Sequence, residues 1–223
     1  MANISSNIKI LKERESFYFK LKLAISIVLV WFLVELIDNI FKLHLESYGL
    51  KPKTIEGLLG VLSFPFLHGD WNHLLSNASS AIVLFTGLFV FHPNRSLRYL
   101  IILYLGSGTL LWVIGRAGTN HIGASGLIYA VAFFLFVSSI RERNRSSMAL
   151  SFFIILMYGG MVWGITPFTV LPNVSWDGHL AGAIVGVTLA LYAYRNYVKP
   201  QELYREDERP FFEKYPMEED FDC

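Results

Sequence analysis

Asn120-His121-Ile122-Gly123-Ala124-Ser125-Gly126-Leu127-Ile128-Tyr129 is a small-residue turn that opens directly into an apolar run reaching Ile140. The run has the length and composition of a lipid-spanning helix. Glycines at its mouth let another backbone approach closely. A helix N-terminus also presents free N–H groups and a partial positive charge, which favour a developing anion. Ser125 is therefore a candidate nucleophile with oxyanion stabilisation nearby. The plainer reading is a small residue at a helix–helix contact, where serine is common. The rest of the chain decides between them.

Working outward, the 223 residues are 53% hydrophobic and only 17% charged, and mean hydropathy is positive. That is too apolar for a soluble domain of this size. The apolar residues fall in six blocks, 22–41, 74–91, 97–114, 122–140, 149–165 and 178–194. A span needs roughly 20 residues, so an all-α membrane protein of six transmembrane helices is expected. The first block is long and lacks a small-residue cleavage site, so it reads as a retained helix rather than a signal peptide. Cys223 is the single cysteine, which rules out a disulfide within the chain and a thiolate metal site. A net charge of +1 gives no reason to expect nucleic acid. No cofactor and no metal are expected, and no internal repeat is visible.

Three parts are expected. Residues 1–21 form a basic cytoplasmic lead-in, 22–197 the six-helix domain, and 198–223 an acidic cytoplasmic tail whose polarity suggests disorder or partner docking. The long connection 42–72 holds apolar pieces too short to span, and is expected to lie in the interface or dip into the protein's side. Of the 19 Lys and Arg, only Lys42, Lys51, Lys53 and Arg116 fall on one side of such a bundle. The positive-inside rule then puts both termini in the cytoplasm. Glu35, Asp38 and Asn39 would sit at the far interface, where carboxylates cost little.

With that orientation the second, fourth and sixth blocks all begin on the outer side. His73 and Asn77 start the second, Ser125 the fourth and His179 the sixth. Three helices thus carry imidazole, amide and hydroxyl groups at one depth, and intramembrane polar groups usually mark function. His73 and Asn77 are four apart and share a face, as do Ser125 and Tyr129. His179, Gly182 and Gly186 form a stripe that faces a matching small surface on Gly126 and Ala130. Close approach there would bring His179 to Ser125, which needs a base because a free serine hydroxyl is a poor nucleophile. Tyr129 could pack against the imidazole. Asp177 is two residues from His179 and points away from it on a helix, so a Ser–His dyad is preferred to a triad. His73, Asn77 and the Ser125 amide would form the oxyanion hole.

Other classes fit less well. A zinc hydrolase built on His68, His73 and His179 would be expected to show a pattern such as His-Glu-x-x-His, which is absent. A transporter would be expected to show paired repeats and broken helices near mid-membrane. His44, His92 and His121 read as satisfied histidines in loops or at interfaces. Asn77-Ala-Ser79 lies within a span and is no glycosylation site; Asn173-Val-Ser175 faces outward.

His73-x-x-x-Asn77, Gly123-Ala-Ser125-Gly126 with Tyr129, and Gly178-His179-x-x-Gly182-x-x-x-Gly186 together resemble the rhomboid family of intramembrane serine proteases. The resemblance covers about residues 60–195. It implies a six-helix rhomboid bundle, active in a membrane such as the bacterial plasma membrane. The expected partners are the lipid bilayer and transmembrane protein substrates, which it would cleave. Ser125 is implied as nucleophile, and His179 as general base and then acid. His73, Asn77 and the Ser125 amide are implied as the oxyanion hole. His68 matches a histidine the family often carries five residues before the oxyanion histidine. The fifth span and the loop before the sixth correspond to a lateral gate and a cap. One departure stands out. Many members carry a Trp-Arg pair in the first long loop, where this chain reads Thr54-Ile-Glu-Gly-Leu-Leu-Gly, so the anchoring of that loop is open.

Overall fold

The computed structural model describes residues 2–168 and 174–195, with side chains from Ile10 onward. Parts of two expectations lie outside them: the acidic tail, and Asn173 of the second sequon. Among the described residues seven α-helices form the fold: α1 (Ala2–Phe41), α2 (Glu56–Ser63), α3 (Trp71–Phe91), α4 (Ser96–Ile114), α5 (Ser125–Glu142), α6 (Arg145–Tyr158) and α7 (Trp176–Ala193). Among the described residues the one β-type pairing is a bridge between Leu50 and His121.

Among the described residues five segments are long and apolar enough to cross a membrane: Ile10–Phe41, Trp71–Phe91, Ser96–Ile114, Ser125–Glu142 and Arg145–Ile165. α7 matches α5 in length, 18 residues each. Its first turn carries Asp177 and His179, which dilutes its apolar character. The chain is thus an all-α integral membrane bundle. Residues 2–21 are helical and run into the first span as one helix, α1, since they contain no Gly or Pro to stop it.

Two helix starts, those of α3 and α6, are capped by side chains. Asp70 is extended and its carboxylate accepts the His73 N–H at 2.9 Å, capping α3. Asn144 does the same for α6 through the Ser147 N–H at 2.8 Å. The main core lies between α1, α3 and α5, with Trp31, Phe85, Phe89 and Phe134 wholly buried. Glu35 is not at an open interface. It is 4% exposed and accepts a hydrogen bond from Asn39 Nδ2 at 2.9 Å. Asp38 accepts the Leu45 N–H at 3.2 Å and so closes the turn after α1.

The first loop packs into the bundle rather than floating beside it. Leu50, Val61 and Phe64 form a second core with Leu111 of α4 and Ala181 of α7. The question raised by the absent Trp-Arg pair has a structural answer. Trp112 of α4 holds the loop, donating from Nε1 to the Thr54 carbonyl at 2.8 Å, while its own carbonyl accepts the Lys53 N–H at 3.1 Å. Leu50 and His121 exchange backbone bonds of 2.9 and 2.8 Å, and the Gly123 N–H donates to the Phe64 carbonyl at 2.9 Å. The loop is therefore stitched to the turn that precedes α5.

Candidate active site

α5 and α7 meet along their small residues. A methyl group on Gly182 would lie 2.0 Å from the Gly126 carbonyl oxygen, and one on Gly186 would lie 2.3 Å from that of Ala130. Only backbone fits there, so the first turns of the two helices sit side by side. Ser125 opens α5 and His179 lies in the first turn of α7. Their side chains meet, with His179 Nε2 2.9 Å from Ser125 Oγ.

The other imidazole nitrogen defines the tautomer. His179 Nδ1 lies 2.9 Å from the Gly164 carbonyl oxygen. A carbonyl only accepts, so Nδ1 carries the proton and Nε2 is left as an acceptor for the serine hydroxyl. Tyr129, one turn below Ser125, stacks on the imidazole with ring centroids 4.1 Å apart and planes 5° from parallel. The ring is thus fixed by a stack on its face and a hydrogen bond at each nitrogen. Sequence reasoning found no third member for the pair. The third group is the backbone carbonyl of Gly164, in the 3-10 turn Gly159–Ile165.

His73 and Asn77 reach the same place from α3. Gly123 has φ +95°, a conformation that favours glycine. A methyl group added there would lie 2.5 Å from His73 Nε2 and 3.3 Å from Asn77 Nδ2. Both side chains therefore press on the turn two residues before Ser125. Asn77 is 6% exposed, and its Nδ2 has no hydrogen-bond partner among the described residues. A buried amide donor left open costs free energy, and an incoming oxygen would satisfy it. Ser125 itself is part-exposed. Its N–H belongs to the first turn of α5, where amides have no intrahelical acceptor.

His68 lies behind this group, 3% exposed. Its ring meets Trp31 at 5.9 Å and His73 at 5.1 Å between centroids. Burial, and then the neighbouring His73, push its pKa down to about 4. It is a neutral packing wedge.

Two residues carry more than their sequence suggested. His121 is buried, with Nδ1 2.7 Å from Ser175 Oγ and Nε2 2.7 Å from Thr119 Oγ1. Asp177 turns away from His179 as its spacing implied. It accepts from the Arg116 N–H at 3.0 Å and from Arg116 Nε at 3.2 Å, and lies 3.6 Å from His121 Nε2. This network ties the turn before α5 to the start of α7, and so bears on how Ser125 and His179 are held. Its partners are as many as 61 residues apart, so no local pattern announces it. Of the other loop histidines, His44 is exposed, and His92 is buried against Tyr194, with Nδ1 3.0 Å from the phenol oxygen.

Chemically, a hydroxyl bonded to a neutral, oriented imidazole beside unfilled donors suits acyl transfer. Among the described residues no three His, Cys, Asp or Glu side chains are grouped to hold a metal ion.

Comparison with known proteins points the same way. A family model described as "Rhomboid domain" matches residues 56–196. The chain is 34% identical over 172 residues to the uncharacterized protein Rv1337 of Mycobacterium tuberculosis, covering 74% of this chain and 72% of that protein. It is 33% identical over 165 residues to the uncharacterized protein ML1171 of Mycobacterium leprae, covering 71% and 65%. It is 27% identical over 143 residues to Rhomboid-related protein 1 of Caenorhabditis elegans, covering 61% and 40%.

Proposed function

The chain belongs to the rhomboid family, and from that premise we propose that it is an intramembrane serine endopeptidase that cuts transmembrane segments of other membrane proteins. The single observation that carries this reading is the hydrogen bond of 2.9 Å between His179 Nε2 and Ser125 Oγ, made by an imidazole whose Nδ1 is already engaged by a carbonyl.

In the proposed reaction, Ser125 Oγ attacks the scissile carbonyl carbon as His179 Nε2 takes the hydroxyl proton. The C=O electron pair moves to oxygen. That oxyanion receives hydrogen bonds from the Ser125 amide, His73 and Asn77. Collapse breaks the C–N bond, and His179 gives its proton to the leaving amine. Water then attacks the acyl-serine, again with His179 as base, and frees the carboxylate. The Gly164 carbonyl and the Tyr129 ring keep the imidazole aimed throughout.

The site opens on the outer face, with both termini in the cytoplasm and α7 as the sixth span. The distribution of Lys and Arg supports that orientation. The substrate passes α6. Only 11% of the most apolar part of Arg145–Ile165 is buried in the bundle, against 61% for α5, so it is the loosest wall. The substrate helix must unwind to expose its peptide bond, which favours Gly and other helix-weakening residues near the cut.

The test is labelling by a fluorophosphonate together with cleavage of a model transmembrane substrate in proteoliposomes. Wild type should do both; Ser125→Ala and His179→Ala should do neither while remaining folded. Asn77→Ala should retain labelling at a reduced rate, with turnover down by about 10²–10³-fold. Cleavage by Ser125→Ala would refute the nucleophile. Binding of the substrate without cleavage by wild type would make the protein a receptor for membrane helices instead.

A further inference from the structure

The end of the bundle opposite Ser125 carries chemistry that proteolysis leaves unused. α4 begins there, just after Arg95, and α7 ends there at Ala193. Between the two helices lies a cleft of about 360 Å³ whose lining includes Arg95, Arg98, Tyr99, Leu189, Tyr192 and Arg195. Three guanidinium groups line it, and among the described residues no carboxylate does. Among the described residues the ion pairs involve Arg116, His121 and His44, and none of these three arginines. The acid of the neighbouring cleft, Glu142, is already engaged. It accepts from the Tyr194 hydroxyl at 2.6 Å, from the Ser147 hydroxyl, and from Asn144 Nδ2 at 3.3 Å.

Like charges that line one cleft repel one another, and an anion held between them relieves that repulsion. Arg195 is also arranged for one. Its guanidinium lies over the Tyr192 ring at 4.4 Å, which covers one face and leaves the N–H edge free. Below the charges the wall turns apolar. Ile102 completes it, 38% exposed, and Tyr192 is 64% exposed. A charged rim above an apolar slot, between two spanning helices, suits one amphiphile better than any soluble ion.

We propose that this cleft binds an anionic phospholipid, its phosphate held by Arg95, Arg98 and Arg195 and its acyl chain laid along Ile102 and Leu189. The bound lipid clasps α4 to α7. Nothing in this depends on Ser125, and its test reads no proteolysis.

The full-length protein in a neutral detergent is given short-chain phosphatidylglycerol, short-chain phosphatidylcholine, or inorganic phosphate. Thermal unfolding and native mass spectrometry are recorded for each. Phosphatidylglycerol should raise the melting temperature and survive as a one-to-one adduct; the other two should not. In Arg98→Gln/Arg195→Gln its affinity should fall about ten-fold or more, whereas Arg98→Lys/Arg195→Lys should keep most of it. Equal effects of phosphatidylcholine would overturn the proposal as mere lipid solvation. An inorganic phosphate effect matching that of phosphatidylglycerol would make this a soluble-anion site. No response to phosphatidylglycerol, as when the chain's own acidic tail occupies the cleft, would also overturn it. The wild-type arms decide the matter even if the glutamine variant fails to fold.

Discussion

Gly164 accepts a hydrogen bond from His179 Nδ1 on its carbonyl and leaves no space for a side chain. A methyl group there would lie 1.9 Å from the Tyr129 hydroxyl and 3.3 Å from His179 Nδ1. Gly164→Ala must therefore displace either the 3-10 turn or the phenol, and in both cases the imidazole loses its aim at Ser125. Turnover should drop by about 10²-fold, the cost expected of a misplacement of about 1 Å, with little change in melting temperature. Tyr129→Phe removes the hydroxyl while keeping the stacked ring, so the double variant should recover part of the loss in a cleavage assay. A double variant no better than Gly164→Ala would show that the clash is not the cause. Nothing in the sequence could have singled out Gly164. It contributes a backbone oxygen, which every residue owns, and it lies 15 residues from the histidine it serves. Asp177 was readable because two residues along a helix is a turn of direction, whereas the network that engages it spans distant segments.

At the scale of elements, the contact of α5 with α7 is the one that matters for the site, and it was also the most legible. Small residues at 126, 130, 182 and 186 recur at helical spacing, and small stripes permit close backbones. Gly182→Val should force the helices apart, lowering thermal stability by about 1–3 kcal/mol, the usual cost of overpacking. It should also slow fluorophosphonate labelling, because Ser125 and His179 ride on the two helices. Gly160→Ala is the control, since nothing lies within 4 Å of a methyl group there. Equal losses in both would mean that the seam has no special role. Other features of the elements were less readable. The ends of the apolar blocks were blurred where polar residues carry a helix past its greasy stretch, as Arg145, Ser146 and Ser147 do for α6. The chain leaves α6 in a 3-10 turn, and apolar pattern alone does not distinguish the two helical forms.

For the molecule as a whole, three buried histidines outside the spans make stability depend on pH. Burial depresses His68 and His92 to about 4, the latter despite Glu142 nearby. His121 is lowered too, by burial above all, with Asp177 opposing and Arg116 assisting. When folded values lie below the unfolded one, the unfolded chain binds more protons in acid, so stability rises with pH. The contribution of His68 and His92 is complete above about 6.5 and is lost progressively as pH falls towards about 4. Melting temperature should decline across that window, and His68→Phe, which keeps an aromatic ring beside Trp31, should shrink the decline. An unchanged slope would remove His68 from the account. The docking of the first loop was the least legible part of the molecule, because pairing of Leu50 with His121 uses main-chain groups alone and leaves no trace in residue types. That pairing, with the Gly123–Phe64 bond beside it, works as a zip fastener with one slider. Lifting the loop off the bundle strips the amide of Gly123 of its acceptor in the same event, two residues from the serine.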